Sequence, residues 1–356
     1  MQFGIAIPTA ADSWRLVRRA EELGFSHAWF FDTQMLNADP FVAMTAAAMQ
    51  TTRIKLGTGV LIPSNRIAPV AATAFASLNQ LAPGRIVFGI STGFTGRRTM
   101  GLGAVKLADM EEYIHVVQAL WRGETVEFIV EGKQRLIRYL NPEIGLINIA
   151  DPIPLCIAAS GPRARALTAK LGAGWIDNVQ DPDRGIAVLE QMRIAWQAAG
   201  HARDSLNAIA WIGGAVLDEG EAADSPRSVA IGGPRASMLL HRAADTALAN
   251  YPTPLAMRPE YQAKVEAYVA HAGSFGPQGA YYLENHRGHL MFVRPDERPY
   301  ITAEMIKGTT FTGTEREIKQ RVGKLVDAGF SQVVVSIPPG QEPMIEDWGR
   351  IRRAFA

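Results

Sequence analysis

A repeat of short apolar runs, each followed by a segment of helical periodicity, restricts the fold of this chain more than any other feature. The runs are continuous rather than alternating, as expected of parallel strands that are buried on both faces. The eight runs span residues 3–8, 27–32, 53–60, 85–91, 154–160, 174–179, 208–216 and 332–338. Eight strand-then-helix units within 356 residues predict an α/β fold, a (β/α)8 TIM barrel in a single domain over residues 1–356, rather than a doubly wound sheet.

Helix start signals stand at the places that a barrel requires. After the second run, Asp39 and Pro40 supply a capping side chain and a first-turn proline before an apolar helical face. Before the last run, Thr314 and Glu317 have the spacing of a capping box. These signals predict helices that lead from one strand of the barrel to the next.

Two stretches do not fit the repeat. Residues 122–153 suggest a short β excursion after the fourth helix, and residues 217–310 contain at least two helical patterns and a long loop after strand 7. Insertions of this size in a barrel normally follow a strand and stand over its carboxyl-terminal face, where active sites are built. We therefore expect both insertions, which come after strands 4 and 7 in chain order, to act as lids.

The composition excludes several classes of partner. The 36 Lys and Arg residues nearly cancel the 35 Asp and Glu residues, which argues against nucleic acid as a partner. Cys156 is the single cysteine, so no intrachain disulfide can form, and its apolar surroundings predict a core position. Without a signal-like start or a run of about 18 apolar residues, the sequence predicts a soluble cytoplasmic protein with no membrane partner.

Polar or glycine-rich residues follow four successive predicted strands. They are Asp32-Thr33-Gln34 after strand 2, Gly59-Val60 with residues 62–66 after strand 3, residues 91–98 after strand 4, and residues 159–165 after strand 5. Because the carboxyl ends of barrel strands share one face, these residues predict one site at the mouth of the barrel.

The segment Ser160-Gly161-Pro162 leads directly into a predicted helix. Free backbone N–H groups, a small residue and a hydroxyl at a helix start suit a phosphate, with Arg163 or Arg165 nearby. A plain capping turn with two solvated arginines is the alternative. No G-x-G-x-x-G or G-x-x-x-x-G-K-[ST] motif occurs, which disfavours a Rossmann or P-loop enzyme.

His286 and His289 lie in the second insertion, three residues apart, which is the spacing of neighbours on a helix. A metal site, an acid/base role and a packing role are all open for this pair. Since the sequence offers no recognisable third ligand and no H-E-x-x-H motif, we predict no metal site.

Three stretches together resemble one known family. "EELGFSHAWFFDTQ", "RIKLGTGVLIPSNRIAPVAATAFASLNQLAPGRIVFGISTG" and "AASGPRARALTAKLGAGWI" are similar to the bacterial luciferase-like superfamily. This superfamily comprises flavin monooxygenases and deazaflavin-dependent oxidoreductases such as methylenetetrahydromethanopterin reductase. The resemblance covers roughly residues 1–180 and the last barrel unit, and it is weaker between residues 217 and 300.

The resemblance implies a cofactor site. At the end of strand 3 the family carries a bulge, often with a non-prolyl cis peptide, that backs the cofactor ring, and Gly59-Val60 matches it. The family's phosphate site matches the segment 160–163, and the loop 91–93 would flank the ring. The positions implied to bind the cofactor are Asp32, Thr33, Gly59, Val60, Asn65, Ser91, Thr92, Gly93, Ser160, Gly161, Pro162 and Arg163.

One departure from the family concerns proton transfer. Many members have a histidine directly after the strand 2 acidic residue, where this chain has Thr33. Threonine does not titrate near neutral pH, so a proton must come from another residue. The replacements that we predict as catalytic are Asp32, His286, His289 and Tyr113.

Two mechanisms follow from the resemblance, and they differ in cofactor. With coenzyme F-420, also written F420, the protein would transfer hydride to or from a small organic substrate, and Arg66, Arg97 and Arg98 would line a groove for the acidic tail. With FMN, a separate reductase would supply reduced FMN and the protein would oxygenate a substrate with O2. The "DTQ" and "GTGVLIPSNR" segments favour F-420.

Two other classes of function are weighed against these mechanisms. A non-catalytic flavin-binding barrel would have little use for the long insertion 217–310, and a barrel aldolase would want a lysine at a strand end, where none occurs. The resemblance further implies a homodimer, for which the alanine-rich helices 40–50 and 69–82 are the predicted interface.

Overall fold

The computed structural model describes residues 1–251, 258–277 and 279–355 and contains a closed barrel of eight parallel strands. The barrel strands are β1 (Gln2–Ile7), β2 (His27–Phe30), β3 (Lys55–Thr58), β4 (Ile86–Ile90), β5 (Leu155–Ala158), β6 (Gly174–Asn178), β7 (Ala208–Ile212) and β8 (Gln332–Ser336). Each strand pairs with the next in the chain, and β1 pairs with β8 to close the barrel. The predicted TIM barrel and its eight strands are confirmed.

Helices follow each strand of the barrel. They are α1 (Trp14–Glu22), α2 (Pro40–Gln50), α3 (Ala68–Leu81), α4 (Phe94–Arg98), α5 (Leu107–Trp121), α6 (Pro162–Lys170), α7 (Pro182–Ala198), α8 (Pro226–Ala249), α9 (Pro259–Ala272), α10 (Tyr282–Asn285), α11 (Ala303–Thr309), α12 (Glu315–Ala328) and α13 (Met344–Arg353). The predicted caps are present: Asp39 accepts from the N–H groups of Phe41 and Val42, and Thr314 and Glu317 form a capping box. Among the described residues, no helix is long and apolar enough to cross a membrane.

Two tryptophans fill the interior of the barrel and account for the glycines of β3. The rings of Trp29 and Trp211 lie 6.1 Å apart between centroids. A Cβ atom on Gly57 would lie 2.9 Å from Cε3 of Trp29, and one on Gly59 would lie 2.7 Å from Cη2 of Trp211. Since these separations are too short for real Cβ contacts, the indole packing requires glycine at both positions. Cys156 belongs to the same apolar cluster, as predicted.

The first insertion, residues 122–153, forms an antiparallel hairpin of Val126–Val130 and Lys133–Ile137. It follows the end of helix α5 and leads into the start of β5, so it lies at the amino-terminal end of the barrel. The backbone N–H of Asn148 donates to the carbonyl of Ala76, near the end of α3, at 3.0 Å. The prediction that this insertion is a lid is therefore wrong, because it follows a helix and not a strand.

The second insertion, residues 217–310, follows β7 and contains helices α8 to α11. It has an apolar cluster of its own, to which Leu240, Tyr268 and Ile306 belong. Residues of α8, including Met238, line the cavities at the mouth of the barrel. This insertion therefore covers the carboxyl-terminal face, as its place after strand 7 predicts.

Candidate active site

Two adjoining cavities lie at the carboxyl-terminal ends of the strands. The first, called here the α6 cavity, has a volume of about 390 Å³ and is lined by Ser160 and Gly161 before helix α6. The second, called here the β3 cavity, has a volume of about 160 Å³ and is lined by Gly59 and Val60 after β3. The residues that line both cavities are Phe94, Asn178, Arg235, Met238 and Arg242. Because they share this wall, the two cavities adjoin each other, and they are together called the groove here.

The β3 cavity has the character of a binding site for a flat ring. The peptide bond between Gly59 and Val60 is cis, as the family resemblance implied, and both residues face the cavity. Trp211 lines the same cavity, and its indole N–H donates to Oγ of Ser336 at 3.0 Å. The wall is thus largely apolar, with a small number of fixed polar groups, which is typical of cofactor sites.

Asp32 lines the β3 cavity, but both of its oxygens are already engaged. The carboxylate is 2% exposed and accepts from the backbone N–H of Ile62 at 3.1 Å and from Nη1 of Arg66 at 2.9 Å. Arg66 also donates to Asp39. These bonds order the loop after β3, so the geometry gives Asp32 a positioning role, and its catalytic role stays a prediction.

The basic groove expected for an acidic tail is not made by the residues named for it. Arg66 pairs with two aspartates, and Nε of Arg97 donates to the carbonyl of Gly103. Arg98 is only 4% exposed, and its Nε lies 3.8 Å from the carboxylate of Asp245. The prediction of a groove lined by these three arginines is therefore wrong, because each guanidinium is held within the protein.

The other residues matched to the ring site divide into two groups. Those that line the β3 cavity are Thr33, Ser91 and Gly93. Asn65 instead donates to the side chain of Gln34 at 2.8 Å, and the carbonyl of Thr92 accepts from the N–H of Val105. Among the described lining residues neither Asn65 nor Thr92 occurs, so these two support the loops behind the cavity.

The amino-terminal end of helix α6 forms one end of the α6 cavity. Pro162 is the first residue of the helix, and Ser160 and Gly161 precede it. A Cβ atom on Gly161 would meet no atom within 4 Å, so the space in front of the helix is open. Free N–H groups and the positive end of the helix dipole favour an anion there.

Arg163 and Arg165, the two arginines at the start of α6, differ in exposure and in hydrogen bonding. Arg165 is 8% exposed, and its guanidinium donates to the carbonyl of Ser160 and to Oε1 of Gln191. The alternative of two solvated arginines is therefore wrong for Arg165. Arg163 is exposed and is not among the described lining residues of either cavity, so the geometry does not support its predicted phosphate contact.

Positive charge reaches the α6 cavity from residues that no motif indicated. The charged residues that line it are Arg184, Arg235, Arg242 and Arg258, against Asp177 and Asp181. Arg235 is 6% exposed and donates to the side chain of Asn178 and the carbonyl of Trp211, while its Nε has no hydrogen-bond partner in the described part of the chain. Burial lowers the pKa of Arg235 to about 10. Arg235 and Arg242 are seven residues apart and therefore lie on one face of α8. This spacing is the sequence feature from which the pair could have been predicted.

Asp177 is a second functional candidate beyond the predicted set. It lies at the end of β6, is 8% exposed and lines the α6 cavity. Burial raises the pKa of its carboxyl to about 6, although Arg165 and Arg235 act in the opposite direction. A carboxyl group that titrates near neutral pH is suited to proton transfer.

Tyr113 is not placed for the catalytic role predicted for it. The side chain lies on the buried face of α5, within the main apolar core, and is 8% exposed. Burial raises the pKa of its hydroxyl, and Tyr113 is absent from the described lining residues of both cavities. The prediction is wrong because the helical face that carries Tyr113 packs into the core.

His286 and His289 stand behind the wall of the β3 cavity. They are 1% and 2% exposed, and neither is a described lining residue of either cavity. Nε2 of His289 lies 3.3 Å from Oγ1 of Thr95, and Thr95 does line the β3 cavity. The geometry therefore does not support direct contact of these imidazoles with a substrate, but it connects His289 to the cavity through Thr95.

Comparison with curated proteins finds relatives along the whole chain. A 5,10-methylenetetrahydromethanopterin reductase from Archaeoglobus fulgidus is 25% identical over 352 residues, which cover 96% of this chain and 95% of that protein. An F420-dependent glucose-6-phosphate dehydrogenase from Beutenbergia cavernae is 40% identical over 141 residues, 37% of this chain and 39% of that protein.

Solved structures share the fold. The coenzyme F420 dependent tetrahydromethanopterin reductase from Methanopyrus kandleri superposes with a TM-score of 0.70 at 19% identity, covering 100% of this chain and 99% of that chain. A type II Baeyer-Villiger monooxygenase from Pseudomonas putida, in complex with FMN, gives 0.65 at 14% identity, covering 98% and 95%. The sequence model of the family described as luciferase-like monooxygenase matches residues 2–332. The chain is an oxidoreductase that belongs to the luciferase-like monooxygenase family.

Proposed function

We propose that the protein binds coenzyme F-420 and uses it for hydride transfer to or from a small organic substrate. The observation that carries this proposal is the charge of the α6 cavity, where four arginines face two aspartates next to a helix amino terminus. F-420 has an acidic tail beyond its phosphate, whereas FMN ends at the phosphate. Arg235 and Arg242 line both cavities, and Arg184 and Arg258 line only the α6 cavity, so the positive charge extends along the groove, which suits an extended acidic tail better than one compact phosphate.

The residues at the ring end would hold the deazaflavin. Gly59 and Val60 would support one face of the ring, and Ser91 and Gly93 would flank it. The coenzyme supplies a ring carbon that donates or accepts hydride, while the chain positions it and excludes water. Asp32 would act by keeping the loop after β3 in place through its bonds to Ile62 and Arg66.

The phosphate and tail would occupy the α6 cavity. Backbone N–H groups at the start of α6 and the hydroxyl of Ser160 would bind the phosphate. Arg235 and Arg242, on one face of α8, would meet the carboxylates of the tail, and each has a buried Nε without a hydrogen-bond partner in the described part of the chain. A carboxylate would supply the missing acceptors.

The substrate would lie where the two cavities meet. Phe94 and Met238 give this part of the groove an apolar wall, and Asn178, Arg235 and Arg242 add polar groups beside it. That wall suits a small organic molecule with a carbonyl, imine or activated double bond. Thr95 in the β3 cavity and Asp177 in the α6 cavity are candidate groups for proton transfer to such a substrate. The names of the relatives, which include a methylenetetrahydromethanopterin reductase and F420-dependent dehydrogenases, support the same chemistry.

Parallel fluorescence titrations of the purified protein with F-420 and with FMN test this proposal. We expect F-420 to bind at least tenfold more tightly than FMN, and Arg242→Gln to weaken F-420 about 10- to 100-fold, since one charge-assisted hydrogen bond contributes about 1.5–3 kcal/mol. Arg163→Ala, which changes an exposed arginine outside the cavities, is the matched control and should leave both affinities unchanged.

The opposite preference would point to the other mechanism. If FMN binds more tightly than F-420 and Arg242→Gln changes neither affinity, the hydride-transfer proposal fails. A two-component monooxygenase would then be expected, with oxygen uptake in the presence of reduced FMN and a separate flavin reductase as partner.

A further inference from the structure

Three histidines meet inside the second insertion. His241 lies on helix α8, and His286 and His289 lie just beyond α10. They are 0%, 1% and 2% exposed, and one imidazole nitrogen of each lies within 4.8 Å of the other two. His241 is a third histidine that the sequence spacing did not indicate, because it is 45 residues away from His286 along the chain.

The hydrogen bonds determine which ring nitrogens carry protons. Nε2 of His241 lies 2.6 Å from a carboxylate oxygen of Glu297, and Nε2 of His286 lies 3.1 Å from Oδ1 of Asp245. Carboxylates accept and do not donate, so both Nε2 atoms carry the hydrogen and both Nδ1 atoms present lone pairs. Nδ1 of His289 approaches Nδ1 of His241 at 2.7 Å.

Hydrogen bonding alone does not satisfy this group. A proton on Nδ1 of His289 can bridge to His241, with Thr95 donating to the other nitrogen of His289. That arrangement still leaves Nδ1 of His286 buried without a hydrogen-bond partner in the described part of the chain. A buried, unpaired lone pair is costly, and it needs a cation or a donor that the chain does not supply.

The carboxylates behind two of the rings have other partners as well. Arg294 lies 3.1 Å from Glu297 and also pairs with Asp296, and Arg98 lies 3.8 Å from Asp245. Each carboxylate contacts its histidine at Nε2, so it does not occupy the Nδ1 atom of that ring.

We propose that His241, His286 and His289 bind a divalent transition metal ion, with Zn²⁺ the expected ion, through their Nδ1 nitrogens. Imidazole nitrogen is a preferred ligand of zinc, and metal-binding histidines commonly hold their second nitrogen in a hydrogen bond to a carboxylate or another polar group. Here Glu297, Asp245 and Thr95 occupy those second positions, one for each ring.

The distances suit such an ion after small shifts. Zinc–nitrogen bonds of about 2.0–2.1 Å in a tetrahedral site separate two ligand nitrogens by roughly 3.4 Å. This separation is longer than the 2.7 Å between the Nδ1 atoms of His241 and His289 and lies within the 4.8 Å that one nitrogen of each of the three rings spans. The fourth position is left for water, since no further His, Cys, Asp or Glu of the described residues completes the group.

The ion would connect the insertion to the active site. It would join helix α8, which carries Arg235 and Arg242 at the α6 cavity, to the segment after α10. His289 extends this connection to Thr95 in the wall of the β3 cavity. The site would therefore fix the position of the covering helix relative to the groove, independently of which cofactor the groove binds.

Metal content of the full-length protein is the first test. The protein is incubated with ZnCl2, desalted and analysed by plasma mass spectrometry, and we expect one equivalent of zinc per chain. Cobalt(II) added to chelator-treated protein should give the visible absorption bands of a tetrahedral site, and dipicolinate should lower the Tm of the zinc-loaded protein by several degrees. A chain that keeps no zinc, gives no cobalt bands and shows no shift of Tm would overturn the proposal.

Variants then locate the ion. His286→Gln should abolish retention of zinc. Asp245→Asn, which changes the group behind His286 and also its contacts with Arg98, Tyr281 and Asn285, should weaken zinc binding about 10- to 100-fold. His115→Gln, at an exposed histidine on helix α5, is the matched control and should keep one equivalent. Equal zinc content in the His286 and His115 variants would place the ion elsewhere and refute the assignment. Folding of each variant is checked by circular dichroism, and the cobalt spectrum of the unmodified chain tests the site without any substitution.

Discussion

Folding changes the protonation of a buried histidine in this barrel, His27. His27 begins β2 and is 8% exposed, with Nδ1 at 2.8 Å from Oγ of Ser26. Burial, together with the nearby charge of Lys55, lowers the pKa of this histidine from 6.5 to about 3. Between these two values the unfolded chain binds a proton that the folded chain rejects, so the free energy of unfolding falls as the pH falls below about 6.5.

This difference gives a prediction for acid stability. At pH 5, His27 should cost the folded protein about 2 kcal/mol relative to pH 8, at 1.36 kcal/mol for each unit of pH. His27→Gln removes the titration, and urea unfolding should show a pH 8 to pH 5 loss that is smaller by about that amount. His115→Gln, at an exposed position, should retain the full loss. Equal losses in the two variants would show that His27 does not contribute.

Glycines at the mouth of the barrel differ in how much space surrounds them. Gly89 is enclosed, since a Cβ atom there would lie 2.1 Å from the carbonyl oxygen of Thr58. Gly161 has a backbone φ of −90°, which any residue can adopt, and a Cβ atom there would meet nothing within 4 Å. The first glycine is required by packing, whereas the second keeps space free.

Gly161→Ala therefore separates binding from folding. We expect its free energy of unfolding to stay within about 0.5 kcal/mol of the unmodified protein, because the methyl group enters open space. If a cofactor phosphate binds against the start of α6, the same methyl group should weaken cofactor binding tenfold or more in a fluorescence titration. Unchanged affinity in a stable variant would move the phosphate away from this helix.

At the scale of elements, the sequence alone predicted the strands and helix starts that depend on local interactions. The continuous apolar runs located all eight strands, and the Asp39 cap and the Thr314–Glu317 box lie where they were predicted. Tyr113 was predicted as a candidate for proton transfer, but its residue type and its place on a predicted helix could not tell a core-facing side chain from a cavity-facing one. Only the folded structure shows that Tyr113 faces the core and that His241 lies beside His286 and His289.

The hairpin of the first insertion provides an element-level test. Ile129 and Gln134 pair near its tip, and both are exposed. Replacing residues 129–134 by Asn-Gly leaves Phe128 opposite Arg135 and closes a two-residue turn. Because this hairpin lies at the end of the barrel away from the groove, F-420 affinity should stay within twofold of the unmodified protein.

A large loss of affinity would show that this insertion contributes to the active site. Circular dichroism and thermal unfolding of the shortened protein exclude general misfolding as the cause. The matched comparison is Met238→Ala, on the covering helix α8, which removes a side chain that lines both cavities and should weaken binding measurably.

For the molecule as a whole, helices α2 and α3 present an apolar surface that a single chain leaves exposed. Val42 and Met49 on α2 are 61% and 65% exposed, and Ile67 and Val70 beside and on α3 are each 52% exposed. Val42 and Met49 are seven residues apart and so share one helical face. Exposed apolar side chains that are grouped on neighbouring helices commonly mark an interface.

We propose that two copies of the chain associate through this surface, the interface that the family resemblance implied. Light scattering after size exclusion at about 10 μM should give twice the 38.7 kDa mass of one chain. Val42→Glu combined with Met49→Glu should give the monomer mass, because two copies would then bring four carboxylates into an apolar contact. Ile194→Glu is the matched control, since Ile194 is also 65% exposed but lies on α7, which packs against α6 and α12. A monomeric unmodified protein, or a dimer that survives the double substitution, would exclude this interface. Loss of the dimer in the Ile194 variant alone would instead place the interface on the α7 side of the barrel.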